Sequence, residues 1–193
     1  NTPHDRDELL QWIMASLNQQ YEGRFTALHS AFQIYLRTQL SSGRRTLLII
    51  DEAQNLHWQA LEDLRLLSNI NADKQQFVQF ILVGQPQLKE TICLPQMSQF
   101  AQRISAQFHL TGLSPSDVRE YIDYRLASVG AKRSLFSPDA CALIADVSGG
   151  IPRMINTLCD LSLVYGLASG AETVTHDLVS EAIEQKRSFG ILG

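Results

Sequence analysis

Two short, largely apolar runs set the tightest limit on how this chain can fold. Residues 46–50 are Thr-Leu-Leu-Ile-Ile, and residues 77–83 are Phe-Val-Gln-Phe-Ile-Leu-Val. Both runs are bounded by turn residues and are shorter than a typical helix, and a helical pattern separates them at about 57–69. Strands that are covered on both faces of a parallel sheet have this character, so we expect two such strands here.

The order of strand and helix patterns predicts an α/β protein with two parts. Residues 1–111 form the predicted parallel-sheet core, with right-handed crossovers between strands and a third strand at 107–110. Residues 112–193 form the predicted all-helical subdomain, a lid on the core. Three strands make a thin sheet, so we expect one or two more before Asn1.

Helix signals in the second part are strong and regularly placed. Ser-Pro pairs at 114–115 and 137–138 put an N-cap residue directly before a proline at the first helical position. Further helical patterns follow at about 151–168 and 176–188. These signals predict four consecutive helices.

Composition narrows the class of protein. The 193 residues are 45% hydrophobic and 19% charged, with a formal net charge of −4 and a pI of about 5.7. This balance is typical of a globular domain and argues against a surface dominated by nucleic-acid binding. The three cysteines match no common zinc spacing, and Cys141 and Cys159 fall on apolar helical faces, where we expect them to pack as small hydrophobic side chains.

Two adjacent acids, Asp51 and Glu52, directly follow the first predicted strand. Ligands of open α/β sheets bind at the carboxyl ends of the strands. Mg²⁺ prefers hard oxygen ligands such as a carboxylate, and a second carboxylate can orient the water that attacks a γ-phosphate. Taken alone, the pair is equally consistent with two solvated acids at a strand end.

Three more polar residues stand where an anion could meet them. Gln85 ends the second predicted strand, although it also precedes Pro86 in an ordinary helix-starting turn. Arg153 lies in the first turn of a predicted helix, where a cation is unfavourable unless an anionic partner such as phosphate is present. Arg103 could reach the phosphate of a neighbouring subunit. Each arginine could equally be a solvated surface residue or part of a surface ion pair.

Five segments together resemble the AAA+ ATPases of the general secretion pathway protein A family. Residues 47–56 and 64–69 are similar to the Walker B region of that family, and residues 81–88 are similar to its sensor 1 segment. Residues 102–104 resemble its arginine-finger region, and residues 148–156 resemble its sensor 2 segment. The segments occur in the family's order, which makes the joint match far more specific than any one of them.

The resemblance implies an AAA+ fold, ATP and Mg²⁺ as cofactors, and a role for each site residue. Asp51 would hold Mg²⁺, and Glu52 would activate water. Gln85 would act as sensor 1, Arg153 as sensor 2, and Arg103 as a finger reaching into a neighbouring copy of the chain.

Partners and location also follow from the resemblance. Family members hydrolyse ATP to help assemble a secretin in type II secretion, or a pilus, at the cytoplasmic face of the bacterial inner membrane. The implied partners are other copies of the chain in a ring or dimer, secretion-system or pilus assembly proteins, and peptidoglycan through another domain of a membrane-anchored parent. Two alternatives remain: a DNA-binding regulatory ATPase of a transposition system, and a non-hydrolysing scaffold. The acidic pI disfavours nucleic acid as a partner.

One departure from the family is large. The sequence contains no GxxxxGK[ST] phosphate-binding loop. Family members have this loop upstream of the region that matches Asn1, and its backbone amides and lysine provide most of the grip on the phosphates. We therefore expect these 193 residues by themselves to bind ATP poorly and to be inactive.

Overall fold

The structure, a computed structural model, describes residues 6–70 and 76–188. The chain divides into two compact units, residues 1–107 and residues 108–193. Each unit is built around its own cluster of buried apolar side chains.

The described residues of unit 1 form two parallel strands and five helices. Its elements, in chain order, are α1 (Arg6–Ser16), α2 (Phe25–Ser41), β1 (Thr46–Ile50), a 3-10 turn (Ala53–Asn55), α3 (Trp58–Ser68), β2 (Val78–Leu82), α4 (Pro86–Ile92), a second 3-10 turn (Pro95–Met97) and α5 (Ser98–Ala101). The strands pair in parallel, with Thr46 opposite Val78 and Ile50 opposite Leu82. The predicted α/β fold with a parallel sheet is therefore confirmed.

The sheet is covered on one face among the described residues. Leu48 and Val78 are buried and belong to the same apolar cluster as Phe32 of α2 and Leu61 of α3. On the opposite face Ile49 is 62% exposed, and Leu47, Ile81 and Val83 are also exposed. The expectation that both strands are covered on both faces is wrong here, because the helices that supply the unit 1 core pack on the face with Leu48 and Val78.

The third predicted strand, at residues 107–110, is absent from the sheet of the described residues, which has two strands. Phe108 and Leu110 are 90% and 83% exposed. Four residues of alternating character are a weak signal, and a strand forms only beside a neighbour that pairs with its backbone amides and carbonyls.

Unit 2 consists of the four predicted helices: α6 (Pro115–Ser128), α7 (Pro138–Ser148), α8 (Pro152–Ser169) and α9 (His176–Ser188). The starts of α6 and α7 follow the predicted caps. The Ser114 hydroxyl accepts the backbone N–H of Asp117 in a reciprocal capping box, and Ser137 caps α7 through the N–H of Ala140. In the described part of the chain, no helix is both long enough and apolar enough to cross a membrane.

The unit 2 core contains two of the three cysteines. Cys141 is buried, and Cys159 is half-buried against the same cluster as Ile144 and Leu158. Both therefore pack as small hydrophobic side chains, as expected. Burial raises the pKa of the Cys159 thiol to about 12.

Candidate active site

The segments that directly follow the two strands of unit 1 lie next to each other. The Val83 N–H donates to the Ile50 carbonyl at 2.9 Å, and the Ala53 N–H donates to the Val83 carbonyl at 2.9 Å. These two bonds continue the parallel pairing past the last strand residues. The structure thus brings together the segment with Asp51 and Glu52 and the segment with Gln85, at the carboxyl edge of the sheet, where ligands of such sheets bind.

The two carboxylates are exposed and locally constrained. The Glu52 backbone N–H donates to Asp51 Oδ1 at 2.8 Å. Glu52 itself has a left-handed backbone, with φ of 54° and ψ of 33°. Apart from Asn18, it is the one non-glycine residue with positive φ in the described part of the chain. Such a conformation costs on the order of 1–2 kcal/mol for an L-residue and tends to cluster at functional sites.

Gln54 connects the two strand ends through its side-chain amide. Its Nε2 donates to Glu52 Oε2 at 2.6 Å, and its Oε1 accepts the backbone N–H of Gln85 at 3.0 Å. Sequence reasoning did not single out Gln54 as a functional residue. No local pattern could have done so, because the second bond spans 31 residues.

Gly84 allows the strand ends to approach this closely. A Cβ at this position would lie 2.8 Å from Gln54 Oε1 and 3.1 Å from the Gln54 backbone nitrogen. Contacts this short force something to shift, so a side chain at residue 84 would displace the Gln54 amide.

The donor set fits Mg²⁺ bound by few protein ligands. Among the described residues there is no cluster of three or more His, Cys, Asp or Glu that could form a closed metal site. An exposed Asp51 carboxylate next to Glu52 offers hard oxygen atoms at an open edge. Mg²⁺ is commonly held by one or two carboxylates together with water and substrate phosphates, and the chemistry of these two acids fits that kind of site.

A cavity of about 410 Å³ adjoins the two acids. Its walls include Leu9 and Trp12 of α1, residues of β1, and Asp51 and Glu52 at the strand end. The volume falls within the range of small-molecule sites, roughly 300–1,000 Å³. The walls are mainly apolar, and Asp51 and Glu52 are the acidic residues among them.

The two arginines of the predicted site are exposed. Arg103 follows α5 in a turn, where its N–H donates to the Phe100 carbonyl at 2.9 Å. Arg153 is the second residue of α8 in unit 2, after Gly149 and Gly150, which both have positive φ. Neither forms an ion pair with any described residue. The structure links the Asp51–Glu52 segment to the Gln85 backbone through the Gln54 side chain and the strand pairing, and neither arginine takes part in these hydrogen bonds.

Comparison with known proteins agrees with this architecture. A family model described as an AAA domain matches residues 1–92. General secretion pathway protein A of Aeromonas hydrophila is 40% identical over 148 residues, a match that covers 77% of this chain and 27% of that protein. The chain thus spans about a quarter of the length of this curated relative.

Solved structures with low sequence identity share the fold. The ORC2 protein of Aeropyrum pernix, solved as ADPNP–ADP complexes, has a TM-score of 0.65 and 18% identity, covering 94% of this chain and 49% of that one. Cdc6p of Pyrobaculum aerophilum has a TM-score of 0.66 and 16% identity, covering 93% and 49%. A RuvB variant of Thermotoga maritima has a TM-score of 0.53 and 20% identity, covering 79% and 48%.

At these identities the solved structures define the fold alone, and the chain spans about half of each. The family is shown by the 40% identity to general secretion pathway protein A and by the match to the AAA domain model. The chain is an AAA+ module related to general secretion pathway protein A.

Proposed function

We propose that this chain is the part of an ATP-hydrolysing AAA+ enzyme that contains its magnesium-binding and water-activating carboxylates. The observation that supports this proposal most directly is the position of Asp51 and Glu52 at the carboxyl end of β1, beside Gln85 at the end of β2. Ligands of open α/β sheets bind at this edge, which supports the proposal that a metal ligand, a base and a phosphate-contacting residue act here on one ligand.

Each residue has a proposed task in hydrolysis. Asp51 would hold Mg²⁺ through its carboxylate, and the ion would supply positive charge to the phosphates of ATP. Glu52 orients the attacking water and takes up its proton. Gln85 is linked to Glu52 through the Gln54 side chain and is proposed to contact the γ-phosphate.

The arginines are proposed to meet the same nucleotide from other directions. Arg153 would contact phosphate from unit 2, and Arg103 would reach the nucleotide of a neighbouring copy. Their support is that both guanidinium groups are exposed and lack an ion-pair partner among the described residues. A guanidinium group is the preferred partner of phosphate because it is always charged and offers several donors.

The proposed biological role is inferred from the similarity to general secretion pathway protein A. We propose that the parent protein uses ATP to assemble a secretin or pilus complex at the cytoplasmic face of the bacterial inner membrane. Its partners would be other copies of itself and secretion or pilus assembly proteins, with peptidoglycan bound by another part of the parent. The net charge of −4 weighs against nucleic acid as a partner.

ATP binding is proposed to need a Gly-rich phosphate-binding loop, which these 193 residues do not contain. The chain alone should therefore show little hydrolysis, and a longer form of the protein that includes such a loop should show Mg²⁺-dependent hydrolysis. Glu52→Gln in the longer form should lower kcat by about 100-fold or more, because a positioned base is lost. Nucleotide binding, measured by calorimetry, should remain.

The matched control is Glu90→Gln, which makes the same chemical change at an exposed position of α4. It should hydrolyse ATP at the unsubstituted rate. Unchanged turnover in Glu52→Gln would refute the water-activating role. A longer form that binds ATP without any turnover would favour a scaffold, and duplex-DNA affinity with a steep salt dependence would favour a transposition regulator.

A further inference from the structure

The Gln54 side chain forms hydrogen bonds to both halves of the carboxyl edge. It bonds the Glu52 carboxylate on one side and the Gln85 backbone on the other. The proposed function assigns it no task, although its bond to Glu52 is, at 2.6 Å, short for an amide donor. A hydrogen bond to a charged carboxylate is stronger than a neutral one.

The two bonds fix the direction of the Gln54 amide. Reversing the amide would bring its oxygen against the Glu52 carboxylate and its NH₂ group against the Gln85 N–H, so both contacts would become repulsive. The side chain therefore cannot satisfy one neighbour independently of the other. If the Gln85 segment moves, Gln54 must move with it or break a bond, and the Glu52 carboxylate loses its orienting donor.

The backbone around this bridge is arranged to hold it. Ala53 is fully buried and bonded to Val83, which anchors the 3-10 turn that contains Gln54. Gly84 leaves room for the amide, since any Cβ there would meet Gln54 Oε1 at 2.8 Å. Gln85 is the N-cap residue of α4, so its N–H precedes the helix and is satisfied by Gln54.

We propose that Gln54 is a positioning residue that couples the orientation of the Glu52 carboxylate to the position of the Gln85 segment. It does not touch the reacting atoms. It makes the base responsive to whatever contacts the end of β2. This inference rests on the proposed function for its consequence in hydrolysis, but the coupling itself can be measured without nucleotide.

The first experiment follows the Gln85 backbone amide by NMR and hydrogen exchange in the 193-residue chain. Gln54→Met keeps the side-chain length and removes both polar groups, and it should speed exchange of the Gln85 amide by about 3- to 10-fold, the effect of losing one hydrogen bond. Gln54→Ala should do the same. Gly84→Ala should also speed exchange of the Gln85 amide, although residue 54 is still glutamine, because the new Cβ displaces the Gln54 side-chain amide. Gln87→Ala, an exposed glutamine on α4, is the control and should leave the exchange rate unchanged.

A double-substitution cycle then tests coupling as opposed to simple contact. Glu52→Gln should shift the Gln85 amide resonance in the unsubstituted chain, and should shift it much less when Gln54 is replaced by Met. Equal shifts in both backgrounds would overturn the proposal. So would an exchange rate at Gln85 that is the same in Gln54→Met and Gln87→Ala.

The kinetic consequence is measured in the longer form that includes a phosphate-binding loop. Gln54→Met should lower kcat by about 10-fold and leave KM within about 2-fold, because base orientation is lost while ground-state binding is not. An equal loss in Gln87→Ala, or a change confined to KM, would overturn the positioning role. If the longer form shows no turnover but the NMR coupling is present, the proposed function fails and the coupling stands. If the longer form hydrolyses ATP but the NMR coupling is absent, the proposed function stands and the coupling role of Gln54 fails.

Discussion

At the scale of single residues, burial changes what chemically identical side chains can do. Cys93 is exposed, Cys141 is buried and Cys159 is half-buried. Burial, the neighbouring Cys141 and the Asp160 carboxylate raise the pKa of Cys159 to about 12. Burial and the Asp123 carboxylate also raise the pKa of Cys141, while Arg119 opposes the rise.

We expect the three thiols to react with a maleimide at very different rates at pH 8. The thiolate is the reactive form, so a thiol with a raised pKa is almost entirely protonated and unreactive at that pH. Cys159 should react on the order of 100-fold or more slowly than Cys93. Mass spectrometry of proteolytic peptides over time measures each rate.

The control for this labelling is Cys93→Ser, which should remove the fast phase and leave the slow ones. Denaturant should make all remaining thiols reactive, because unfolding removes the burial. Similar rates at Cys93 and Cys159 in the native chain would contradict the described packing of unit 2.

At the scale of elements, a pair of glycines forms the turn between α7 and α8. Gly149 and Gly150 both have positive φ, at 56° and 72°. Only the second is enclosed: its carbonyl accepts the Leu113 N–H at 2.9 Å, and a Cβ on it would lie 2.1 Å from the Leu113 carbonyl oxygen. At Gly149 a Cβ would meet nothing within 4 Å.

We expect Gly150→Ala to destabilise the chain far more than Gly149→Ala. Both substitutions impose the left-handed penalty, about 1–2 kcal/mol. Gly150→Ala adds a backbone clash, and such overpacking costs a further 1–3 kcal/mol or so. Urea denaturation followed by circular dichroism measures the difference. Equal losses would mean that residues 112–113 do not pack against Gly150.

At the scale of the whole molecule, each unit has its own core, with the boundary at residues 107 and 108. The unit 2 core consists of side chains from its own four helices and the segments that connect them, including Val118, Ile144, Ile155 and Val179. Its helix caps at Ser114 and Ser137 also lie inside the unit. A unit with internal caps and an internal core meets the physical requirements for folding on its own.

We therefore expect residues 108–193 alone to give a helical circular dichroism spectrum and a cooperative urea transition. Ile144→Ala in this fragment should lose about 2–5 kcal/mol, because the side chain is fully buried. Leu167→Ala, at a position that is 84% exposed, is the matched control and should change the free energy of unfolding by less than about 0.5 kcal/mol. A fragment without a cooperative transition would contradict the independence of the two cores.

Much of the secondary structure and part of the site could be predicted from local patterns. The first strand was predicted at its observed residues, 46–50, and all four unit 2 helices were predicted, two of them from their Ser-Pro caps. The proximity of Asp51, Glu52 and Gln85 followed from the rule that parallel strands end at one edge. The roles of these residues, and those of Arg103 and Arg153, stay predictions.

The sequence by itself determined the strand and helix order, the caps, and the position of the two acids at a strand end, because each depends on neighbours within a few residues along the chain. Only the tertiary structure decided that Gln54 bridges Glu52 and Gln85, and that Gly84 leaves space for the Gln54 side chain. Only the tertiary structure decided that Leu47 and Ile49 lie on an exposed face of the sheet. It also decided that residues 107–110 are not a strand. These outcomes depend on which distant segments come within a few ångströms of each other, and no local period or spacing encodes that distance.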